Sequence, residues 1–149
     1  MSDDKTEAQP VDLEALKTKV QGFLTEAGVT FEVRPDGSFG LRQGSTFVIV
    51  QPLQWNERTL VRVFAPVALE CTNLNPGAAM YLAEQNAKLI FGKFSLDTEE
   101  SSVWYEHALL GDFLDKDELI TAVMAVALTT DQYDEQIATI TGGKRVADL

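Results

Sequence analysis

Residues 59–70 read TLVRVFAPVALE, and this stretch decides the fold. It is rich in β-branched side chains, and successive side chains of a strand point to opposite faces of a sheet. The first face would carry Val61, Val63, Ala65 and Val67; the second would carry Leu60, Phe64, Pro66 and Ala68, interrupted by Arg62. An antiparallel sheet covered on one side should instead alternate apolar with polar residues. The stretch therefore predicts a sheet whose second face is either covered within the domain or meets another molecule.

Three shorter strands precede this stretch, at residues 30–34, 39–43 and 46–53. The turns between them are 35–38, where proline and glycine supply the required backbone angles, and Gly44-Ser45. A polar loop at 54–58, which contains Trp55, connects the third strand to the fourth. Turns this short join antiparallel neighbours.

Two further strands follow, at residues 89–97 and 102–110, and the loop 98–101 makes them a hairpin. A first helix is predicted over 13–27, where apolar residues recur at helical spacing and Gly28 would end it. A second begins at Asn75-Pro76 and runs to about residue 88.

The last helix begins at Asp115, with Glu118 in capping-box position, and ends before Gly142-Gly143. The order α-β-β-β-β-α-β-β-α predicts an α+β fold in which helices cover one face of an antiparallel sheet. We divide the chain into a disordered lead-in (1–10), a single domain (11–141) and a loose tail (142–149).

Charge is concentrated in the last third of the chain. The protein has 149 residues, a formal net charge of -11 and a sequence pI of about 4.4. Residues 97–149 hold twelve acidic and three basic side chains, so most of the excess lies there. Such a chain repels nucleic acid and anionic membranes and suits a basic partner. The longest apolar run, 122–128, is too short to span a bilayer, and a lone cysteine fits a reducing compartment, so we expect a cytoplasmic protein.

Chemistry-bearing motifs are scarce. No dinucleotide or P-loop motif is present, and the single histidine, His107, lies within a predicted strand, which favours a structural role. Cys71 follows an apolar strand beside Glu70, whereas a reactive cysteine needs cationic neighbours, so we expect a small packing residue. The acidic residues Asp97, Glu99 and Glu100 belong to an exposed turn that offers no apolar pocket. We therefore predict no catalytic residues, no cofactor and no metal.

The informative feature is surplus apolar surface. The sixth strand and the last helix, like the fourth strand, carry more apolar residues than one buried face needs. A well-covered internal sheet would explain this surplus. Otherwise the second face binds a second subunit or an extended segment, and the candidate contacts are Trp55, Leu60, Phe64, Trp104 and Leu110.

Three segments together resemble a known family. They are residues 89–97 (LIFGKFSLD), 103–106 (VWYE) and 114–119 (LDKDEL). With the element order, they are similar to the YbjN family, whose fold is like that of the type III secretion chaperones (Tir chaperone-like). The resemblance implies a compact, often dimeric domain without a catalytic centre. Chaperones of this fold are small and acidic and bind extended segments of effector proteins over apolar grooves.

Residues and resemblance lead to the same expectation of function. We predict a non-catalytic protein- or peptide-binding module of chaperone-like or regulatory type, which forms a homodimer and binds neither nucleic acid nor membrane. The alternative is a small-ligand-binding or sensory domain with a pocket between helices and sheet. An enzyme is the least favoured class.

Overall fold

The computed structural model describes residues 12–149, so the predicted lead-in of 1–10 lies outside the described residues. Within these residues, three α-helices and six strands follow one another in the predicted order. The strands are β1 (Glu32–Val33), β2 (Phe39–Gln43), β3 (Thr46–Trp55), β4 (Arg58–Ala68), β5 (Lys93–Asp97) and β6 (Ser102–Leu110). The helices are α1 (Leu13–Glu26), α2 (Pro76–Lys88) and α3 (Lys116–Thr141), and a short 3-10 helix (Val146–Asp148) follows.

All six strands form one antiparallel sheet, in the order β1-β2-β3-β4-β6-β5. This confirms the predicted α+β class. β3 extends to Trp55, which was predicted to lie in a loop, because Asn56 adopts a left-handed conformation that permits a two-residue turn. β5 begins only at Lys93, four residues later than predicted, because Gly92 turns the chain with φ 74°.

Two prolines lie inside strands without breaking the sheet. Backbone N–H groups alternate between the two neighbours of a strand. Pro52 of β3 would direct an N–H towards β2, but the pairing of β2 with β3 ends at Val50. Pro66 of β4 would direct an N–H towards β3, but the pairing of β3 with β4 ends at Phe64. Neither proline removes a hydrogen bond that the sheet would otherwise make.

The helix ends follow from local sequence. Asp12 and Asn75 accept N-cap hydrogen bonds at the starts of α1 and α2. At the start of α3, the side chains of Asp115 and Glu118 each bond the other's backbone N–H, which is the predicted capping box. Gly142 ends α3 in the left-handed conformation, with φ 65°.

The helices lie on one face of the sheet and bury it. α3 packs across β4, whose fully buried residues are Thr59, Val61, Val63, Ala65, Val67 and Ala68. A β-bulge between Pro66 and Ala68 turns Ala68 to this covered face, whereas strict alternation had placed it on the opposite one. α1 packs against α3 and β3, and α2 packs against β5 at the sheet edge.

Residues after α3 return to the sheet. Lys144 and Leu69 exchange two backbone hydrogen bonds of 2.8 Å, and Arg145 donates to both carboxylate oxygens of Asp148. An added Cβ at Gly143 would lie 2.7 Å from Cys71 Sγ. This close approach explains the second glycine after the helix.

A buried carboxylate joins the end of β6 to the start of β4. Asp112 is 3% exposed and accepts hydrogen bonds from Thr59 N (3.0 Å), Thr59 Oγ1 (2.8 Å) and Arg58 Nη1 (3.0 Å). Burial would raise its pKa, but the hydrogen bonds from Thr59 and the charge of Arg58 outweigh it, so the pKa lies below the ordinary 3.8.

We expect Asp112→Ala to lower the free energy of unfolding by about 1–3 kcal/mol, because it leaves two buried donors of Thr59 without an acceptor. Urea titration followed by circular dichroism measures this. Since the folded-state pKa is depressed, the stabilisation is complete above 3.8 and is lost as the pH falls through the folded value. The exposed Glu84→Ala serves as control and should change stability little; an equal loss in both variants would contradict the assignment.

Candidate functional site

One face of the sheet has no helix over it, and we call it the open face. All five candidate residues project from it, because the strand register places Trp55, Leu60, Phe64, Trp104 and Leu110 on the side opposite Val61 and Val63. None of the five is fully buried, and Trp55 and Leu110 are each about half exposed (53% and 52%). The sheet therefore has a second apolar face that the described helices leave uncovered.

The first apolar patch of the open face is a cross-strand row near one end of the sheet. Leu60 of β4 pairs with Leu53 of β3 on one side and with Leu110 of β6 on the other. Trp55 lies two residues beyond Leu53 on the same face. Leucines from three neighbouring strands therefore form a continuous strip that ends at an exposed indole.

The second apolar patch lies further along β4. The rings of Phe64 and Trp104 are 5.8 Å apart and tilted by 52°. Pro66, opposite Trp104, and Ile49, opposite Phe64, flank the pair and are almost fully buried. The Trp104 indole donates to Ser102 Oγ (2.9 Å), which fixes the ring.

A polar row separates the two patches. Arg62 lies over the Phe64 ring (4.5 Å to the centroid), donates to Gln51 Oε1 (3.3 Å) and pairs with Glu106 (3.7 Å). Glu106 also accepts from Ser95 Oγ (3.1 Å) and lies 3.8 Å from Lys93. Glu106 therefore lies between two cationic side chains, and the open face offers both apolar contact and hydrogen-bonding groups.

A depression of about 430 Å³ extends the second patch towards the β5–β6 turn. It is bounded by Arg62, Phe64 and Trp104 on the sheet and by residues 95–99 at the hairpin. Asp97 Oδ1 accepts from the backbone N–H groups of Glu99 and Glu100 (3.1 Å each), so this carboxylate shapes the turn.

The remaining sequence candidates lie apart from one another. The His107 ring lies 4.9 Å from the Phe91 ring on the helix side, and burial lowers its pKa. Cys71 is a buried free cysteine whose Sγ lies 3.3 Å from Thr141 Oγ1. Across residues 12–149, no three His, Cys, Asp or Glu side chains come together as a metal site would require.

Sequence reasoning missed the residues that complete the open face. Ile49, Gln51 and Leu53 of β3 lie beside the candidates on β4, and Glu106 of β6 closes the polar row. Alternation within β3 carried the signal, because Phe47, Ile49, Leu53 and Trp55 share one parity in the sequence. The pairing register between strands was the missing information.

An antiparallel sheet backed by helices, with an apolar, hydrogen-bonding face left open, is the architecture of a protein-binding module. Residues 14–149 match the family described as "T3SS (YopN, CesT) and YbjN peptide-binding chaperone 1". The chain belongs to this family of peptide-binding chaperones, which confirms the resemblance found in the sequence.

Solved structures share the fold at low sequence identity. A chain of the HopA1–SchA chaperone–effector complex matches with a TM-score of 0.62 and 11% identity, over 85% of this chain and 99% of that one. A chain of the ExsC–ExsE complex gives 0.61 and 18%, over 84% and 95%. YbjN from E. coli gives 0.54 and 12%, over 80% and 91%.

Among curated proteins, none matches the sequence. Of the helices formed by residues 12–149, none has the length and apolar character needed to cross a membrane.

The two faces of β4 make a sharp mutational test. We expect Val63→Asp to unfold the protein, because Val63 is fully buried under α3, whereas Phe64→Asp leaves it folded, because Phe64 projects from the open face. Thermal unfolding followed by circular dichroism compares these neighbouring variants. Should Phe64→Asp unfold as Val63→Asp does, Phe64 would belong to the core and the open face would be wrongly assigned.

Proposed function

We propose that this chain binds an extended segment of a client protein on the open face of its sheet, without catalysing a reaction on it. The observation that carries the proposal is the convergence of apolar residues from three strands onto a face without a helix over it. Membership of a peptide-binding chaperone family supports it. Two of the solved structures that share this fold, HopA1–SchA and ExsC–ExsE, are described as complexes, the first of them as a chaperone–effector complex.

The spacing of the two apolar patches suits an extended chain. Leu60 and Pro66 lie six residues apart on β4, which corresponds to roughly 20 Å along a strand. A client segment of about six residues in β conformation spans the same distance. Its apolar side chains would contact the leucine row and the Phe64–Trp104 pair, while its polar groups would face Gln51 and Arg62 between them.

The polar row gives the surface selectivity. Arg62 is held by Gln51, Glu106 and the Phe64 ring, so it is preorganised and loses little conformational freedom on binding. A client carbonyl or carboxylate opposite Arg62 would find a charged donor already in place. Aromatic and arginine residues are also those that contribute most to affinity at protein interfaces.

We further infer that the protein forms a homodimer through α3. Met124 (38% exposed) and Leu128 (63% exposed) lie one turn apart on the helix, away from the open face. A second copy would cover this apolar pair and leave the open face available. Because the chain carries a net charge of -11, salt should favour association by screening repulsion.

Client binding should depend on the open face. A client would be identified by pull-down from native extract and mass spectrometry, and its binding segment titrated as a synthetic peptide by calorimetry. We expect Phe64→Asp and Leu60→Asp each to weaken binding by about 2 kcal/mol or more, since each buries an unpaired charge.

The matched control is Met80→Asp on α2, which is exposed and far from the open face by its place in the fold. If Met80→Asp abolished client binding and the two β4 variants left it unchanged, clients would bind to the helical side instead. Circular dichroism of every variant confirms that the fold is intact.

The oligomeric state tests the dimer interface that we infer on α3. Light scattering coupled to size exclusion should give a mass near twice 16.4 kDa, with more dimer at moderate than at low salt. Leu128→Glu should give a monomer, because it places a charge in the apolar pair, while Phe64→Asp should remain dimeric. A monomer at every concentration and salt would rule out the homodimer, and a monomer only for Phe64→Asp would move the interface to the open face.

A further inference from the structure

A cavity lies on the helix side of the sheet, away from the open face. Its volume is about 430 Å³, which is the size of a site for a small organic molecule. Three parts of the chain bound it: the connection from α2 to β5, the end of β6 and the first turns of α3. We call it the helix-side cavity.

Gly92 shapes the connection from α2. Its φ of 74° turns the chain directly before β5, and an added Cβ would lie 2.7 Å from Glu106 O. Residues 89–91 were predicted to continue β5 along β6, but they lie in the connection instead. The side chains of Ile90 and Phe91 therefore bound the cavity and do not extend the sheet.

The walls of the cavity are apolar and face water. Phe91 is 39% exposed and Ile90 is 95% exposed, while Leu109 of β6 is half-buried. The Phe91 ring lies against the His107 ring, with 4.9 Å between the centroids, so one wall is an aromatic surface. An apolar group that entered the cavity would remove these side chains from water, which favours binding.

The rim of the cavity on α3 is acidic. Asp117 and Glu118 bound it, and Thr121 follows one turn further along the helix. Neither carboxylate forms a salt bridge with a basic side chain of residues 12–149. The rim therefore offers negative charge to a ligand that carries a positive one.

An anion is disfavoured at this rim, although a helix begins there. The N-terminus of a helix ordinarily attracts anions through its free N–H groups. At the start of α3, however, Asp115 accepts from Glu118 N (2.8 Å) and Glu118 accepts from Asp115 N (3.2 Å). Residues 115–118 carry three acidic side chains and one basic one, so a bound anion would meet like charge.

His107 does not oppose a cation in the cavity. Burial lowers its pKa, so the ring is neutral at pH 7 and keeps one nitrogen as a hydrogen-bond acceptor. The Thr121 hydroxyl and the two carboxylates are further acceptors at the rim. An ammonium group has three N–H donors, and the face of the Phe91 ring also attracts a cation.

We propose that the helix-side cavity binds a small amphipathic amine, with its apolar group against Phe91 and Leu109 and its ammonium beside Asp117 and Glu118. Apolar contact would supply most of the affinity, and the carboxylates would supply the preference for a cation. The site is independent of client binding, because the sheet separates it from the open face: His107 and Leu109 point to the side of β6 opposite Trp104.

Other occupants suit the cavity less well. A metal ion would leave the apolar walls uncovered, and among residues 12–149 no third His, Cys, Asp or Glu side chain joins Asp117 and Glu118. A second copy paired through the same surface would bring two acidic rims together, and like charges across an interface oppose association. An amine gains from both the walls and the rim.

The test compares three probes that share a phenethyl group and differ in charge. They are phenethylamine, which is a cation at pH 7, phenethyl alcohol, which is neutral, and hydrocinnamate, which is an anion. Each is titrated into the full chain at low salt, and amide chemical shifts are followed by NMR. We expect phenethylamine to shift the amides of His107, Leu109 and Thr121.

The affinities should follow the charge of the probe. Phenethylamine should bind about fivefold more tightly than phenethyl alcohol, because a partly exposed ion pair contributes modestly to affinity. Hydrocinnamate should bind more weakly than the alcohol. Raising the salt concentration should reduce the difference between amine and alcohol, because salt screens exposed charges.

Two pairs of variants locate the site. Asp117→Asn should reduce the preference for the amine over the alcohol to about twofold, whereas Glu84→Gln, which removes an exposed charge from α2, should leave it unchanged. Thr121→Trp fills the cavity from an exposed position of α3 and should abolish binding of every probe. Thr139→Trp makes the same change elsewhere on α3 and should bind as the parent protein does. Circular dichroism checks that all four variants fold.

Several results would overturn the proposal. They are the absence of shifts with phenethylamine, equal affinity for the three probes, and binding that a folded Thr121→Trp leaves intact. Binding of phenethylamine by the Leu128→Glu monomer alone would also overturn it, because a second copy would then cover the cavity.

The open-face variant separates this proposal from the proposed function. Phe64→Asp should bind phenethylamine as the parent protein does, so a failure of client binding on the open face leaves the cavity proposal standing. If Phe64→Asp lost phenethylamine binding while Thr121→Trp kept it, the probe would occupy the open face and the cavity proposal would fail alone.

Discussion

The structure depends on one constraint: its sheet is apolar on both faces, and its helices cover only one. Val61, Val63 and Ala65 are fully buried under α3, while Leu60 and Phe64 of the same strand project from the open face. Since apolar surface left in water costs free energy in proportion to its area, a protein that retains such a face has a use for it. Peptide binding is the use that the family and the geometry support together.

Local sequence signals predicted most of the fold because each has a short-range cause. The Asp115–Glu118 capping box, the Asn75-Pro76 helix start and the Gly142 helix end all act within one turn of helix, and all three are found. Trp55 was misread although the cause is local, because the positive φ of Asn56 closes a two-residue turn directly after it. The start of β5 was misplaced because Gly92 turns the chain against Glu106 O, which is distant in sequence. The bulge at Ala68 likewise arises only from pairing with β6.

Some residues of the candidate site were predictable from local sequence, and others were not. Parity along β4 and β6 was enough to group Leu60, Phe64, Trp104 and Leu110, since a strand needs no partner to define its two faces. The polar row was not predictable, because Gln51, Arg62 and Glu106 come from three different strands and meet only in the folded register. The start of β5 was misplaced for a related reason, because residues 89–92 have the sequence pattern of a strand although Gly92 turns the chain.

The edge of the sheet formed by β5 is partly blocked by a side chain of α2. An exposed strand edge invites pairing with other chains, and proteins usually block it. Here Asn86 blocks β5 at Phe94, because its side chain makes hydrogen bonds with both backbone groups of Phe94. β6 runs on beyond its pairing with β5 to Leu110, and this end of β6 lies beside Asp117 and Glu118 of α3. Like charges at this edge oppose its pairing with a second copy of the chain, which agrees with a homodimer that forms through α3.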